Sequence, residues 1–236
     1  MLAMISALDH LVIGGSVGVY ETLLGRRASS GRLRTGNVGL GFTSGTPGLR
    51  SMVFATADLD KAAKLLERRA VATTRTGDGL ALDAHGVAIG LAARTNEAPS
   101  PFTADEASCV SVLDHVVVRT PNPERAVAFY AGRMGLDLRL DRSNEKWGAR
   151  LLFFRCGDLV VEIAHDLKKG VSDGPDQLWG LSWRVPDVAK AQARLKAAGL
   201  DVTEPRDGRR PGSQVFSVKD KTEGVPTLVI GGVGRW

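Results

Sequence analysis

A single histidine, His115, interrupts the valine-rich stretch VLDHVVVRT at residues 112–120. An imidazole in such a strand is either satisfied by one backbone carbonyl or turned toward a cavity as a polar functional group. Arginines stand nearby in the pattern. With the period of two of a strand, Arg119 projects to the side of His115, and in LWGLSWRV Arg184 projects to the side of Gly180. Buried guanidinium groups need partners. Their fixed fork of donors suits a carboxylate, phosphate or enolate on a ligand, the alternative being an ion pair with Glu162. The loop PRDGRRPGSQ sets Arg209 and Arg210 between Gly208 and the Pro211-Gly212 pair. That combination holds a turn and leaves backbone amides open, which reads as a solvated loop or as the border of a ligand entrance.

The elements that must position these groups recur along the chain. From Val112 an apolar strand runs into a helix start, with Asn122 as cap, Pro123 at the first helical position and Glu124 on the positive end of the helix dipole. Ala126, Val127, Tyr130 and Met134 follow at helical spacing, and Gly135 is placed to stop the helix in a left-handed conformation. Three apolar runs, LDLRL, ARLLFFRC and DLVVEIAH, then read as antiparallel strands. The unit is β-α-β-β-β. The same order returns in LWGLSWRVPDVAKAQARLKAAGL, capped by Asp187 and stopped by Gly199, with later strands at QVFSVKD and PTLVIGG. A weaker copy begins at RSMVFATADLDKAAKLLERRA, capped by Asp58. Another begins at LDHLVIGG, which repeats the LDH of residues 113–115 and presents His10, and its helix near GVYETLLG is short; numbered in chain order, this copy is the first, that at RSMVF the second, that at Val112 the third and that at Leu178 the fourth.

These copies predict two domains, residues 1–94 and 109–236, joined by the polar, proline-bearing segment 95–108. The fold class is α+β, with paired βαβββ modules and mixed, mainly antiparallel sheet. At 236 residues the chain is long enough for two ordinary cores. The net charge is +5, yet no run of like charges marks a nucleic-acid arm or a polybasic membrane patch. A small anionic molecule is the expected partner, with no nucleic acid and no membrane, and a homo-oligomer is compatible. Two cysteines without a CxxC pair support neither a disulfide framework nor a zinc ribbon. The apolar start MLAMISALDHLVIGGSVG lacks a basic flank and carries Asp9 and His10, so the expected location is cytoplasmic. No GxGxxG, GxxxxGK[ST], GxSxG or HExxH occurs, and GNVGLG is followed by no helical pattern, so dinucleotide, P-loop, hydrolase and zincin chemistry lack their signatures. His85 beside Gly86 reads as a turn residue.

Four such units, histidines opening paired halves, and the wording LDHVVVRTPNPERAVAFYAGRMGLDL together resemble the vicinal oxygen chelate superfamily, which includes glyoxalase, bleomycin-resistance proteins and extradiol dioxygenases. The resemblance is strong over residues 112–232 and weaker over 8–94. It implies curved sheets around a cup. It also implies that His115 and Glu162 occupy two ligand positions for one divalent metal, Fe, Mn, Ni or Zn. The second unit departs from the pattern, with Gly180 where a histidine is expected and no carboxylate near Thr227 or Leu228. Catalytic sites of this type normally keep three or more protein ligands.

Two readings follow. In the first, a metal-dependent lyase, isomerase or dioxygenase chelates a small oxygen-bearing substrate at His115 and Glu162, with Arg119 or Arg184 steadying negative charge. In the second, the protein holds no metal and sequesters a small molecule in an arginine- and aromatic-lined cup. The C-terminal half is the expected functional one.

Overall fold

The computed structural model describes residues 4–232. Among the described residues hydrogen bonding arranges fifteen strands in two mixed sheets. The first contains β1 (Ala7–Gly14), β2 (Leu33–Arg34), β3 (Gly39–Thr43), β4 (Gly48–Thr56), β5 (Thr74–Thr76), β6 (Gly79–Ala84) and β7 (Val87–Ala93), in the order β2-β3-β1-β4-β7-β6-β5. The second contains β8 (Val112–Arg119), β9 (Asp137–Asn144), β10 (Ala149–Cys156), β11 (Leu159–Asp166), β12 (Gln177–Arg184), β13 (Arg206–Asp207), β14 (Gln214–Val218) and β15 (Thr227–Gly231), in the order β13-β14-β15-β12-β8-β11-β10-β9. The modules close alike: β1 runs parallel to β3, β4 to β7 and β12 to β15, while the hairpins between are antiparallel. Four helices follow the opening strands: α1 (Val17–Leu24), α2 (Leu59–Arg68), α3 (Pro123–Val127) and α4 (Val188–Ala197). The α+β class of paired βαβββ modules read from the sequence is the fold observed.

The caps read from sequence are made. Asp58, Asn122 and Asp187 each accept the backbone amide three residues on, at 3.0 Å. One element differs from expectation. The helix opened by Pro123 continues from Ala128 to Arg133 as a π-helical turn, so the Met134 amide reaches the Phe129 carbonyl at 2.8 Å. Gly135 follows at φ 75°, as the stop signal requires. The π turn seats Phe129 and Tyr130 inward, and the Tyr130 ring lies 5.6 Å from Phe154.

The described residues fall in two compact units. One contains residues up to Asp9, Ser51–Asn96 and Val116–Trp179; the other contains His10–Arg50, Glu97–His115 and the chain from Gly180 onward. Each unit therefore combines one copy of the repeat from each half of the sequence. In the first unit the turn between β6 and β7 receives the third copy. His85 there has φ 56°, as a turn residue should, its carbonyl accepts the Asp176 amide at 2.8 Å, and its ring meets Phe129 edge-on. The carboxylate of Asp9 accepts the amide and hydroxyl of Thr95, at 2.7 and 2.9 Å, which fixes the start of the expected linker.

In the second unit the short helix α1 is held at both ends by the fourth copy. Glu223 accepts the Ser16 amide at the N-terminus, where negative charge is favoured, and the Arg194 guanidinium donates to the carbonyls of Thr22, Leu23 and Ser108 at the C-terminus. An eight-residue helix is marginal alone, and this clamp supplies what its own sequence lacks. Gly25 closes it at φ 65°, with the Cys109 sulfur where a Cβ would sit. Arg26 reaches Val110 and Ser100 carbonyls from beneath the segment 97–108. Both cysteines are free and buried, and among the described residues no helix is long and apolar enough to cross a membrane.

Replacing Arg194 with Ala removes donors from three carbonyls at once, and we expect a loss of about 2 kcal/mol in urea unfolding. Arg194→Lys should recover only part, since one ammonium cannot span the three acceptors. Wild-type stability in Arg194→Ala would show that water replaces the clamp without cost.

Candidate functional site

His115 sits half-buried on β8, and the residue before it decides its geometry. Asp114 is 1% exposed, and its Oδ2 takes the His115 Nδ1 at 2.9 Å. Its other oxygen, Oδ1, accepts from Arg184 through Nε at 2.9 Å and through Nη2. The carboxylate thus holds the Nδ1 side of the imidazole and fixes the orientation of the ring. Burial pushes the Asp114 carboxyl up, but the hydrogen bonds and charges of His115 and Arg184 outweigh it, and its pKa lies below the usual value. Arg184, expected as a ligand-binding group, therefore has its fork occupied by a buried carboxylate. Its backbone is equally committed, with the Ser111 amide and hydroxyl both donating to the Arg184 carbonyl.

The surrounding backbone is stitched by a residue the sequence left unexplained. The Asn37 side chain donates to the Leu113 carbonyl and accepts the Leu113 amide, both at 2.8 Å, in the manner of a strand neighbour. Gly36 lets the chains approach, since a Cβ there would meet Val112 Cγ1 at 3.0 Å and the Ser111 carbonyl at 3.1 Å. The GNVGLG motif is thus a docking device for the third copy.

The missing histidine of the fourth copy has a structural counterpart. At Gly180 a Cβ would lie 2.8 Å from the Pro226 carbonyl oxygen and 3.4 Å from its Cβ, so the position admits no side chain unless backbone moves. On the paired strand Thr227 donates its hydroxyl to the Val225 carbonyl at 2.8 Å. Among the described residues no group of three or more His, Cys, Asp and Glu is arranged to hold a metal ion. The described donors alone do not supply the three protein ligands of a usual catalytic site.

Glu162 and Arg119 belong to the other unit. Glu162 is half-buried on β11 opposite Phe153 of β10. The register runs unbroken from Leu159 to Asp166, so His165, three residues on, faces the opposite side, where it is buried with Nδ1 3.1 Å from the Thr120 carbonyl. Asp166 accepts the Lys168 amide. Neither stands in beside Glu162. Arg119 lies with its guanidinium carbon 4.0 Å over the ring of Trp179, a contact that sequence parity alone did not indicate. Arg209 is exposed and Arg210 half-buried in the β13–β14 loop, whose turn is closed by the Ser213 amide on the Arg210 carbonyl. His10 is half-buried on β1 opposite Gly39, and Trp183 is fully buried.

Paired βαβββ modules with a histidine opening the C-terminal half define the class, the vicinal oxygen chelate fold. The model of the Glyoxalase/Bleomycin resistance protein/Dioxygenase superfamily matches residues 114–216. An ethylmalonyl-CoA/methylmalonyl-CoA epimerase of Cereibacter sphaeroides is 26% identical over 106 residues, covering 41% of this chain and 79% of that protein. Among solved structures, the halotolerant catechol dioxygenase BphC aligns over 99% of this chain and 89% of its own, at 13% identity and TM-score 0.73. The Mn(II)-bound glyoxalase of Novosphingobium aromaticivorans aligns over 99% and 84%, at 14% identity and TM-score 0.71.

Two outcomes test the Asp114 arrangement. Arg184→Ala leaves a buried carboxylate without its guanidinium partner and should cost about 3–5 kcal/mol, read by urea unfolding. The acid limb gives the second. Because the folded pKa of Asp114 is depressed, its contribution is present above the unfolded value of about 3.9 and disappears as pH falls through the folded one. Asp114→Asn should therefore be less stable at pH 7 but flatter between pH 5 and 2. Parallel curves would show that Asp114 is not the group titrating.

Proposed function

We propose that this protein binds a small oxygen-bearing anion in its C-terminal half without a resident metal ion, as a sequestering or carrier protein of its superfamily. The observation that carries the reading is the closure of the fourth copy's ligand position by Gly180 against Pro226. The hydroxyl of Thr227, committed to Val225, supports it. Within this reading the imidazole of His115, its orientation fixed by Asp114, lends a polar group to the ligand. Arg209 and Arg210, in the β13–β14 loop, supply positive charge that draws an anion toward that half.

The alternative is the metal-dependent lyase, isomerase or dioxygenase with His115 and Glu162 as ligands and Fe, Mn, Ni or Zn as the ion. One observation favours it. A histidine whose Nδ1 is held by a carboxylate is the arrangement in which Nε2 serves as a metal ligand.

Metal content decides between them. Protein purified without chelator or affinity tag is expected to carry well under one equivalent of divalent metal, and its melting temperature should not rise when Mn(II), Fe(II), Ni(II) or Zn(II) is added. A stoichiometric metal that disappears in His115→Ala would overturn the proposal in favour of the enzyme.

A further inference from the structure

In the first unit the loop 170–176, which leads from β11 toward β12, is exposed along most of its length and is tied down at a buried junction. Val171 is 65% exposed, whereas Asp176 at the end of the loop is 2% exposed. The Ser172 amide donates to the Pro121 carbonyl at 3.1 Å. Arg125 of α3 supplies three more ties. Its guanidinium donates to the carbonyls of Asp173 and Gly174, at 3.2 and 2.7 Å, and through Nη2 to Oδ1 of Asp176 at 2.8 Å. The same Oδ1 accepts the Thr120 hydroxyl at 2.7 Å.

The other half of this ion pair is unmatched. Among the described residues of the first unit, three buried side-chain polar atoms have no hydrogen-bond partner: Nε of Arg125, Oδ2 of Asp176 and the hydroxyl of Tyr130. Covalent geometry keeps the first two close, since Nε lies about 2.3 Å from Nη2 within the guanidinium and Oδ2 about 2.2 Å from Oδ1 within the carboxylate. Tyr130 lies on the π turn that continues α3 and is fully buried. Burial and then the charge of Asp176 push its pKa up, so its hydroxyl also stands near that carboxylate. Buried polar atoms left unpaired are costly, and three in one place call for a shared partner. That partner must accept from the Arg125 N–H, donate to the Asp176 oxygen and meet a hydroxyl that can do either. Arg125 repels a cation, and Asp176 repels an anion. A neutral molecule with two donors and two acceptors is required, and a buried water ordinarily makes about three such bonds.

We infer that one internal water molecule is bound between Arg125 Nε, Asp176 Oδ2 and the Tyr130 hydroxyl, and that this hydrated junction latches the loop 170–176 onto α3. The water restrains the plane of the guanidinium, and that plane sets where Nη1 and Nη2 meet the loop carbonyls. Gly170, at φ 68° with open space where a Cβ would sit, is the hinge on which the loop turns when the latch lets go. The latch does not depend on the anion binding proposed above.

A high-resolution crystal structure of the whole protein tests the site. We expect one ordered water within about 3 Å of all three atoms. Density without a water, a water bonded to fewer than the three, or a Tyr130 hydroxyl bonded straight to Asp176 overturns the inference. Amide hydrogen exchange at Ser172, read by NMR, tests the latch, with Leu152 in the buried strand β10 as the reference for the unit as a whole. Arg125→Lys keeps the charge but lacks Nε, and it should speed exchange at Ser172 at least about tenfold relative to Leu152. Tyr130→Phe keeps the ring and removes one partner of the water, and it should speed Ser172 about threefold on the same scale. Exchange at Ser172 that stays at the wild-type rate in either variant, or that changes only in step with Leu152, overturns the latch.

Discussion

A carboxylate buried to 1% exposure at the start of the C-terminal half constrains everything built around it. Asp114 in that position is tolerable only with its charge compensated and its oxygens bonded, and Arg184 and His115 do both. The consequence reaches three strands. Arg184 must end β12 level with Ser111, His115 must turn its Nδ1 inward along its own strand, and Leu113 must keep its backbone against Asn37. A histidine and an arginine that look like a ligand set in the sequence are thereby spoken for by a structural carboxylate.

The same economy explains why the fourth copy lacks its histidine. Parallel pairing of β12 with β15 brings Leu181 opposite Thr227, and the Leu181 amide takes the Pro226 carbonyl at 2.9 Å. That carbonyl occupies the space a side chain at 180 would need. The loss of the ligand is thus built into the backbone, since the module packs more closely there than a ligand-bearing one would allow.

Much of the fold was legible because it rests on local chemistry. Asp58, Asn122 and Asp187 announce their helices through capping, Gly135 announces a stop, and strand alternation places His165 opposite to Glu162. The site was legible only in part. His115 stands out as a lone imidazole among valines, but nothing in a one-dimensional pattern says that its neighbour Asp114 will be buried or that Arg184 will find it 70 residues away. The stack of Arg119 on Trp179 was equally hidden, because it depends on which strands become neighbours. Sequence did hold one unused signal: LDH occurs twice, and in both copies the aspartate is buried as an acceptor, Asp9 for Thr95 and Asp114 for Arg184 and His115. The repeated aspartate was the better clue to architecture, and the repeated histidine drew the attention. The π turn at 128–133 carries no such mark, since its residues fit an α-helical stripe equally well.

The interleaving of the copies bears on synthesis. A chain made from its N-terminus cannot complete either compact unit from the first two copies, because one awaits the strands up to Trp179 and the other awaits the chain beyond Gly180. The helix α1 is made about two hundred residues before Glu223, one of its clamps, and well before Arg194, the other. For most of translation the apolar faces of the first two copies have only each other, or a chaperone, for cover. Contacts spanning about two hundred residues make closing slow, so the nascent protein is more exposed to proteolysis and aggregation than its finished form. A nick within the segment 97–108 would cut the chain without detaching either half, since each half holds pieces of both units.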